Sequence, residues 1–172
     1  MVAQFVTPDS TSTPQIPMPF WKRALDLTCC FFALPFLAIC TLFVSILMKF
    51  ASPGPIFFLQ ERIGHGGRKF KLYKFRTMHV SASTATHQAH VAELVKSNVK
   101  MQKMDSRGDK RRIMGGVLLR ASGLDELPQL INVLRGEMSL VGPRPCLPYE
   151  YDKYLPWQRV RFGTVPGLTG LW

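Results

Sequence analysis

The segment Arg120–Pro145, RASGLDELPQLINVLRGEMSLVGPRP, sets Asp125 and Glu126 side by side at a predicted helix start. Ser122 and Asp125 are both N-cap residue types, and Pro128 is tolerated only in a first helical turn. Leu127, Leu130, Ile131 and Leu134 recur at helical spacing, and Gly136 follows as a stop. Acidic residues belong at a helix N-terminus for the macrodipole alone. The same physics also permits chemistry. A carboxylate held ionised there is available as a nucleophile, nearby free N–H groups favour a phosphate, and an adjacent carboxylate is a hard-oxygen partner for Mg²⁺. The rest of the chain decides between the two readings.

With 172 residues the chain has room for one modest domain plus an anchor. Lys and Arg number 22 against 11 Asp and Glu, a formal charge of +11. Such a surplus calls for an anionic partner: nucleic acid, phosphate-bearing small molecules or an acidic lipid surface. A hydrophobic content of 47% excludes a disordered basic tail. Cys29, Cys30, Cys40 and Cys146 form no C-x-x-C, and three of them sit in an apolar run. They read as reduced structural thiols of a cytosol-facing protein, not as a disulfide framework or a zinc site.

Residues 1–19 are rich in Ser, Thr, Pro and Gln and read as a flexible leader without the basic start of a secretory signal. Residues 20–50 hold the membrane segment. Within it, Leu27–Met48 is uncharged, and as a straight helix it would extend about 33 Å, enough to cross a bilayer core. Pro35 inside the run predicts a kink or a break. Lys22 and Arg23 precede the run, and Lys49, Arg62, Arg68, Lys69 and Lys71 follow it. A spanning helix normally biases its cations to one side. Three readings stay open: a re-entrant segment that bends at the proline and returns to the same face, a kinked spanning helix, and, third, a buried core helix.

Ser52-Pro53-Gly54-Pro55 is a breaker, Ile56–Leu59 a short strand, His65-Gly66-Gly67 a turn, and Phe70–Met78 a second strand. Strand alternation puts Lys74 and Arg76 on one face, where they either grip a phosphate or form a solvated edge. Thr86–Met104 is expected to be an exposed amphipathic helix. On it His87 and His90 share a face without a third ligand, and Lys110-Arg111-Arg112 beyond it reads as a solvated charge run. In Tyr149–Phe162 aromatics alternate with cations, which suits a helix at a lipid headgroup interface. Stacking on single-stranded nucleic acid is the alternative, but no RNA or DNA module accompanies the segment. The expected fold is α+β and mainly helical: the N-terminal re-entrant or kinked spanning helix, then a small cytosolic domain over 51–172 with short strands and interfacial amphipathic helices.

Several signals occur in a fixed order: Lys22-Arg23-x-x-Asp26 ahead of the apolar run, Ser52-Pro53-Gly54-Pro55, Gln60-Glu61-Arg62-Ile63-Gly64, Tyr73-Lys74-Phe75-Arg76-Thr77-Met78, Leu124-Asp125-Glu126-Leu127-Pro128-Gln129, Val141-Gly142-Pro143-Arg144-Pro145, and Pro166-Gly167-Leu168-Thr169-Gly170. Together they make the chain resemble the bacterial sugar transferase family, the monotopic phosphoglycosyl transferases, from about Trp21 to the last residue. The resemblance implies transfer of a sugar 1-phosphate from a nucleotide diphosphate sugar, usually a UDP-sugar, to polyprenyl (undecaprenyl) phosphate. The reaction would occur at the cytoplasmic face of the bacterial inner membrane, as the first membrane step of exopolysaccharide, O-antigen or related glycan assembly. It further implies that Asp125 is the nucleophile, that Glu126 binds Mg²⁺ on the diphosphate, and that Arg120 holds a phosphate. The Pro143-Arg144-Pro145 turn would contact the nucleotide, with Lys74 and Arg76 as additional phosphate contacts. Family members usually continue past Thr169-Gly170, so 51–172 is expected to be C-terminally incomplete. Two rival readings remain: a non-catalytic anchor that binds acidic lipid or a partner enzyme, and a basic nucleic-acid-binding protein.

Overall fold

The structure, a computed structural model, describes residues 15–51, 53–79, 113 and 115–170. Helix α1, Phe20–Ala51, carries 32 residues and passes through Pro35 without ending. The expected break does not occur, because the proline removes only the single bond to the Phe31 carbonyl from a long apolar helix that propagates on either side. One stripe of α1 is buried, at Asp26, Cys30, Leu37, Val44 and Met48. These positions recur at helical spacing and join the main core, while Phe31, Phe32, Phe36, Ile39 and Phe43 stay exposed. The helix is long and apolar enough to cross a membrane, and most of its apolar stretch is not covered by protein.

The basic and acidic residues at the start of α1 fasten it to the rest of the chain. Arg23 donates to the carbonyls of Val133 (2.6 Å) and Leu134 (2.9 Å). Lys22 pairs with Asp26 at 3.7 Å and donates to the Ser139 hydroxyl, and Asp26 Oδ1 accepts from the Leu140 N–H at 3.3 Å. The Lys-Arg-x-x-Asp signal is therefore a clamp between the long apolar helix and the domain.

Strands β1, Phe57–Ile63, and β2, Lys69–Phe75, form an antiparallel hairpin in the register Phe57↔Phe75 to Ile63↔Lys69. The first strand runs four residues beyond the expected Ile56–Leu59, and the second stops three short of Met78. Gly66 and Gly67 supply the positive φ values of 63° and 75° that the tight His65-Gly66-Gly67 turn requires. The expected helix Thr86–Met104, with His87 and His90, and the run Lys110-Arg111-Arg112 lie outside the described residues.

Helix α2, Gly116–Ser122, ends at Gly123, whose φ of 72° turns the chain. A 3₁₀ turn, Leu124–Gln129, then runs directly into helix α3, Leu130–Leu134. Ser122 is not the N-cap expected of it: it closes α2, and its hydroxyl donates back to the carbonyls of Leu118 and Leu119. Gly136, at φ 79°, ends α3 where the sequence indicated.

Asn132 in α3 is fully buried and completes the outer edge of β2. Its amide donates to the Lys71 carbonyl at 2.8 Å and its Oδ1 accepts from the Tyr73 N–H at 3.1 Å. One side chain thereby stands in for a third strand. Two strands absent from the sequence reading, β3 (Ser139–Val141) and β4 (Gly167–Thr169), pair in parallel. Between them Gly142 and Gly167 pass so closely that a Cβ on Gly167 would lie 2.0 Å from the Gly142 nitrogen.

The segment Tyr149–Phe162 is not one interfacial helix. It divides into α4 (Pro148–Tyr151), α5 (Pro156–Arg159) and a 3₁₀ turn (Val160–Gly163). Pro156 lacks the N–H to continue α4 and instead starts α5. Tyr151 and Tyr154 pack on Phe162 in a second small core with Ile63 and Cys146, leaving Leu155, Trp157 and Val160 exposed.

Candidate active site

Asp125 and Glu126 occupy the first turn of the 3₁₀ segment, which packs on β2. Pro128, which would follow the acidic pair in a helix and cannot bond back to the Leu124 carbonyl, favours the tighter turn. Asp125 is buried and Glu126 is half-buried. Lys74 Nζ reaches Glu126 Oε1 at 3.2 Å. Burial pushes the Lys74 ammonium below the ordinary lysine range, while Glu126 and, less strongly, Asp125 pull it back up. Because the folded pKa is the lower one, burying this charge costs stability at neutral pH. That cost is relieved as pH rises from the lowered folded value to the ordinary lysine value. A cation held beside two carboxylates makes Lys74 a candidate functional residue.

Lys74 and Arg76, which strand alternation puts on one face either to grip a phosphate or as a solvated edge, have separate surroundings in the structure. Strand β2 ends at Phe75, and Arg76 is buried just beyond it, with Nε donating to the Pro55 carbonyl at 2.8 Å. Its backbone N–H donates to the Ile56 carbonyl at 2.9 Å, so Arg76 fastens the chain as it leaves α1 for β1. Arg120 lies half-buried in the last turn of α2, just ahead of the Gly123 corner that introduces Asp125.

The Pro143-Arg144-Pro145 turn follows β3 and is tied on both flanks. The Gly167 N–H donates to the Pro143 carbonyl at 2.8 Å, and Arg62 donates to the Pro145 carbonyl at 3.4 Å. Arg62 is the residue to which the sequence reading gave no role. It is 6% exposed, its other terminal nitrogen donates to Gln60 Oε1 at 2.8 Å, and burial lowers its pKa, with Glu150 opposing and Arg144 reinforcing the shift. Arg62 also weighs on Lys74. Positive charge therefore runs from the acidic pair through Lys74 and Arg62 to Arg144. Strand parity was the available signal. Gln60 and Arg62 share the face of β1 whose Phe58 lies opposite Lys74, but this is visible only once β1 extends to Ile63.

The described residues thus combine a long apolar helix clamped to a small α+β domain with an acidic pair braced by the half-buried Lys74 and a proline-flanked Arg144. The family model "Bacterial sugar transferase" matches residues 18–172, and the chain belongs to that family. It is 36% identical over 161 residues to a UDP-N-acetylgalactosamine-undecaprenyl-phosphate N-acetylgalactosaminephosphotransferase of Aeromonas hydrophila, covering 90% of this chain and 34% of that protein. Identity to a UDP-glucose:undecaprenyl-phosphate glucose-1-phosphate transferase of Caulobacter vibrioides is 39% over 161 residues, 92% of this chain and 55% of that protein. With the exopolysaccharide production protein ExoY of Sinorhizobium fredii it is 40% over 156 residues, 88% of this chain and 67% of that protein. The chain thus spans between one third and two thirds of the length of these relatives.

Proposed function

We propose that this protein transfers a sugar 1-phosphate from a UDP-sugar to undecaprenyl phosphate at the cytoplasmic face of the inner membrane, starting polysaccharide assembly. The observation that carries the reading is the buried Asp125 next to Glu126, braced by Lys74 in a family whose named relatives act on UDP-sugars and undecaprenyl phosphate. In the first step a carboxylate oxygen of Asp125 attacks the sugar-linked phosphorus. The bond from that phosphorus to the bridging oxygen breaks, and the nucleoside monophosphate leaves with the electron pair. In the second step a phosphate oxygen of the lipid attacks the same phosphorus and displaces Asp125, giving a polyprenyl diphosphate sugar.

Two steps suit a reaction with one soluble substrate and one held in lipid, because the two substrates never need to meet. Lys74, Arg120 and Arg144 supply the positive charge that phosphoryl transfer needs around the equatorial oxygens, while the buried Arg76 fastens the chain beside them. The donor set also fits Mg²⁺, which binds through one or two carboxylates with phosphate and water completing the shell. Among the described residues no group of three or more His, Cys, Asp or Glu is assembled as a self-sufficient cage, so the fit is to a cation shared with substrate. Glu126 would hold the ion, and its chemistry there is neutralisation of the diphosphate.

The re-entrant reading of α1 has support of its own. At its N-terminal end Arg23 is bonded to α3, and beyond its C-terminal end only residues 52–56 separate it from β1, which belongs to the same domain through β2. That short link reaches at most about 20 Å, less than a bilayer core. These two tethers support a reading in which both ends of the helix stay on one side of the bilayer.

The test is incubation of membranes carrying the protein with radiolabelled UDP-sugars and Mg²⁺, followed by counting label on protein and in lipid extract. Wild type gives both. Asp125→Asn, which keeps the shape and removes the nucleophilic oxygen, loses both by on the order of a thousandfold or more. Label unchanged in that variant removes Asp125 from the role, and no label with any nucleotide sugar leaves a non-catalytic anchor as the better reading.

A further inference from the structure

Beneath the reactions assigned above lies a buried polar cluster that they do not use: Arg62, Glu150 and Tyr149, packed where α4 meets β1. Arg62 and Glu150 are 6% and 1% exposed. Charges are costly to bury, and two of opposite sign in one place require a reason. Their bonds supply one. Arg62 spends one terminal nitrogen on the Pro145 carbonyl and the other on Gln60, while Glu150 Oε2 accepts from the Leu147 N–H at 2.8 Å, closing the N-terminus of α4. Beside them the Ile63 N–H donates to the Cys146 carbonyl at 2.8 Å. Three of these bonds, from Arg62, Ile63 and Glu150, converge on residues 145–147, the exit of the Pro143-Arg144-Pro145 turn. The entrance of the same short turn is held by the Gly167 N–H on Pro143, so loosening the exit strains this bond too.

We propose that Arg62 is a positioning residue for this turn. With Glu150 it locks the exit of the turn to the end of β1, so that Arg144 is presented in one place relative to the Lys74–Glu126 pair. Arginine suits the task because its planar fork reaches two acceptors, Pro145 and Gln60, at once, which an ammonium on a flexible stem does less well. The hairpin carries the coupling. Lys74, on β2, is paired with the acidic turn, and Arg62, on β1, is paired with the proline turn, so the antiparallel register fixes the spacing between the two halves of the site. The diphosphate end and the nucleotide end of one substrate would then be measured off by a rigid two-stranded ruler. Disturbing Arg62 should loosen substrate binding more than it slows the bond-breaking step.

The locking stands on geometry alone, and only its consequence for the nucleotide sugar rests on the function proposed above. Two readouts keep these apart, applied to the whole protein in detergent with Arg62→Met, Arg62→Lys and the double variant Arg62→Met/Glu150→Leu. The double variant removes both buried charges and is the fallback should the single one fail to accumulate. The first readout is hydrogen exchange at Ile63 and Gly167, whose N–H groups bond the two flanks of the turn. We expect it to quicken at least about tenfold in both methionine variants, with exchange in α3 unchanged and Arg62→Lys in between. Unchanged exchange at Ile63 and Gly167 overturns the proposal, whatever the activity. The second is steady-state kinetics on a wild type already shown to be active. There KM for the nucleotide sugar should rise about tenfold or more in the double variant, with kcat within about threefold. A KM that stays put, or a kcat that falls alone, overturns the role in substrate positioning while leaving the assignment of Asp125 untouched.

Discussion

Single side chains in this protein show how strongly burial sets chemistry. Cys146 is 1% exposed, and its thiol is pushed up to about 12, first by burial and then by the charge of Glu150. Against an ordinary value of 9.0 for this group, that shift leaves about a thousandfold less thiolate at neutral pH. Iodoacetamide at pH 8 should therefore modify Cys146 about a thousand times more slowly in folded protein than in urea, read by mass spectrometry of its peptide. Equal rates would show the residue to be accessible. The sign of the linkage follows: stability tied to this thiol is intact below about pH 9 and is lost as pH climbs toward about 12. The expectation of structural cysteines fits the buried Cys30 and Cys146, whereas Cys29 is exposed and Cys40 half-buried. What it lacked was Arg62, whose importance depends on a carbonyl 83 positions away.

At the level of elements, local chemistry named the pieces well and their limits less well. Gly136 stopped α3 as expected, and the hairpin turn fell on His65-Gly66-Gly67, because each depends on backbone freedom that a few residues decide. Ser122 was misassigned because Ser is a good cap type that also bonds back within a helix, and only the Gly123 corner distinguishes the two. The edge of β2 rests on Asn132, a polar residue inside an apolar pattern. Asn132→Leu leaves the Lys71 carbonyl and the Tyr73 N–H without their side-chain partners, and should cost about 1–3 kcal/mol. Urea melting of the detergent-solubilised protein measures it, and a loss below about 0.5 kcal/mol would mean that α3 does not serve as the third strand.

For the molecule as a whole, the question is how a small domain is held against a long apolar helix. The Lys22, Arg23 and Asp26 clamp ties the start of α1 to α3 and β3, one element beyond the acidic pair, and the helix end leads directly into the hairpin that carries Lys74. Arg23 also places a cation at the C-terminal end of α3, where carbonyls lack partners and the helix dipole favours positive charge. Single cysteine tags placed ahead of Phe20 and beyond Ala51, in a variant lacking the native thiols, should both react with an impermeant maleimide in inside-out vesicles and neither in intact spheroplasts. A tag labelled from outside would establish a spanning helix.

The sequence by itself determined the apolar helix, the hairpin, the helical segment after Asp125 and the family, since each is written in short-range periodicity, turn chemistry or ordered motifs. Only the tertiary structure decided that Val141-Gly142-Pro143-Arg144-Pro145 and Pro166-Gly167-Leu168-Thr169-Gly170 are two sides of one parallel strand pair. It alone joined Lys74 to Glu126 and Arg62 to the proline turn. These contacts link residues tens of positions apart. Their partners are chosen by which buried polar groups must be satisfied once the core has closed, a condition no local window of sequence contains.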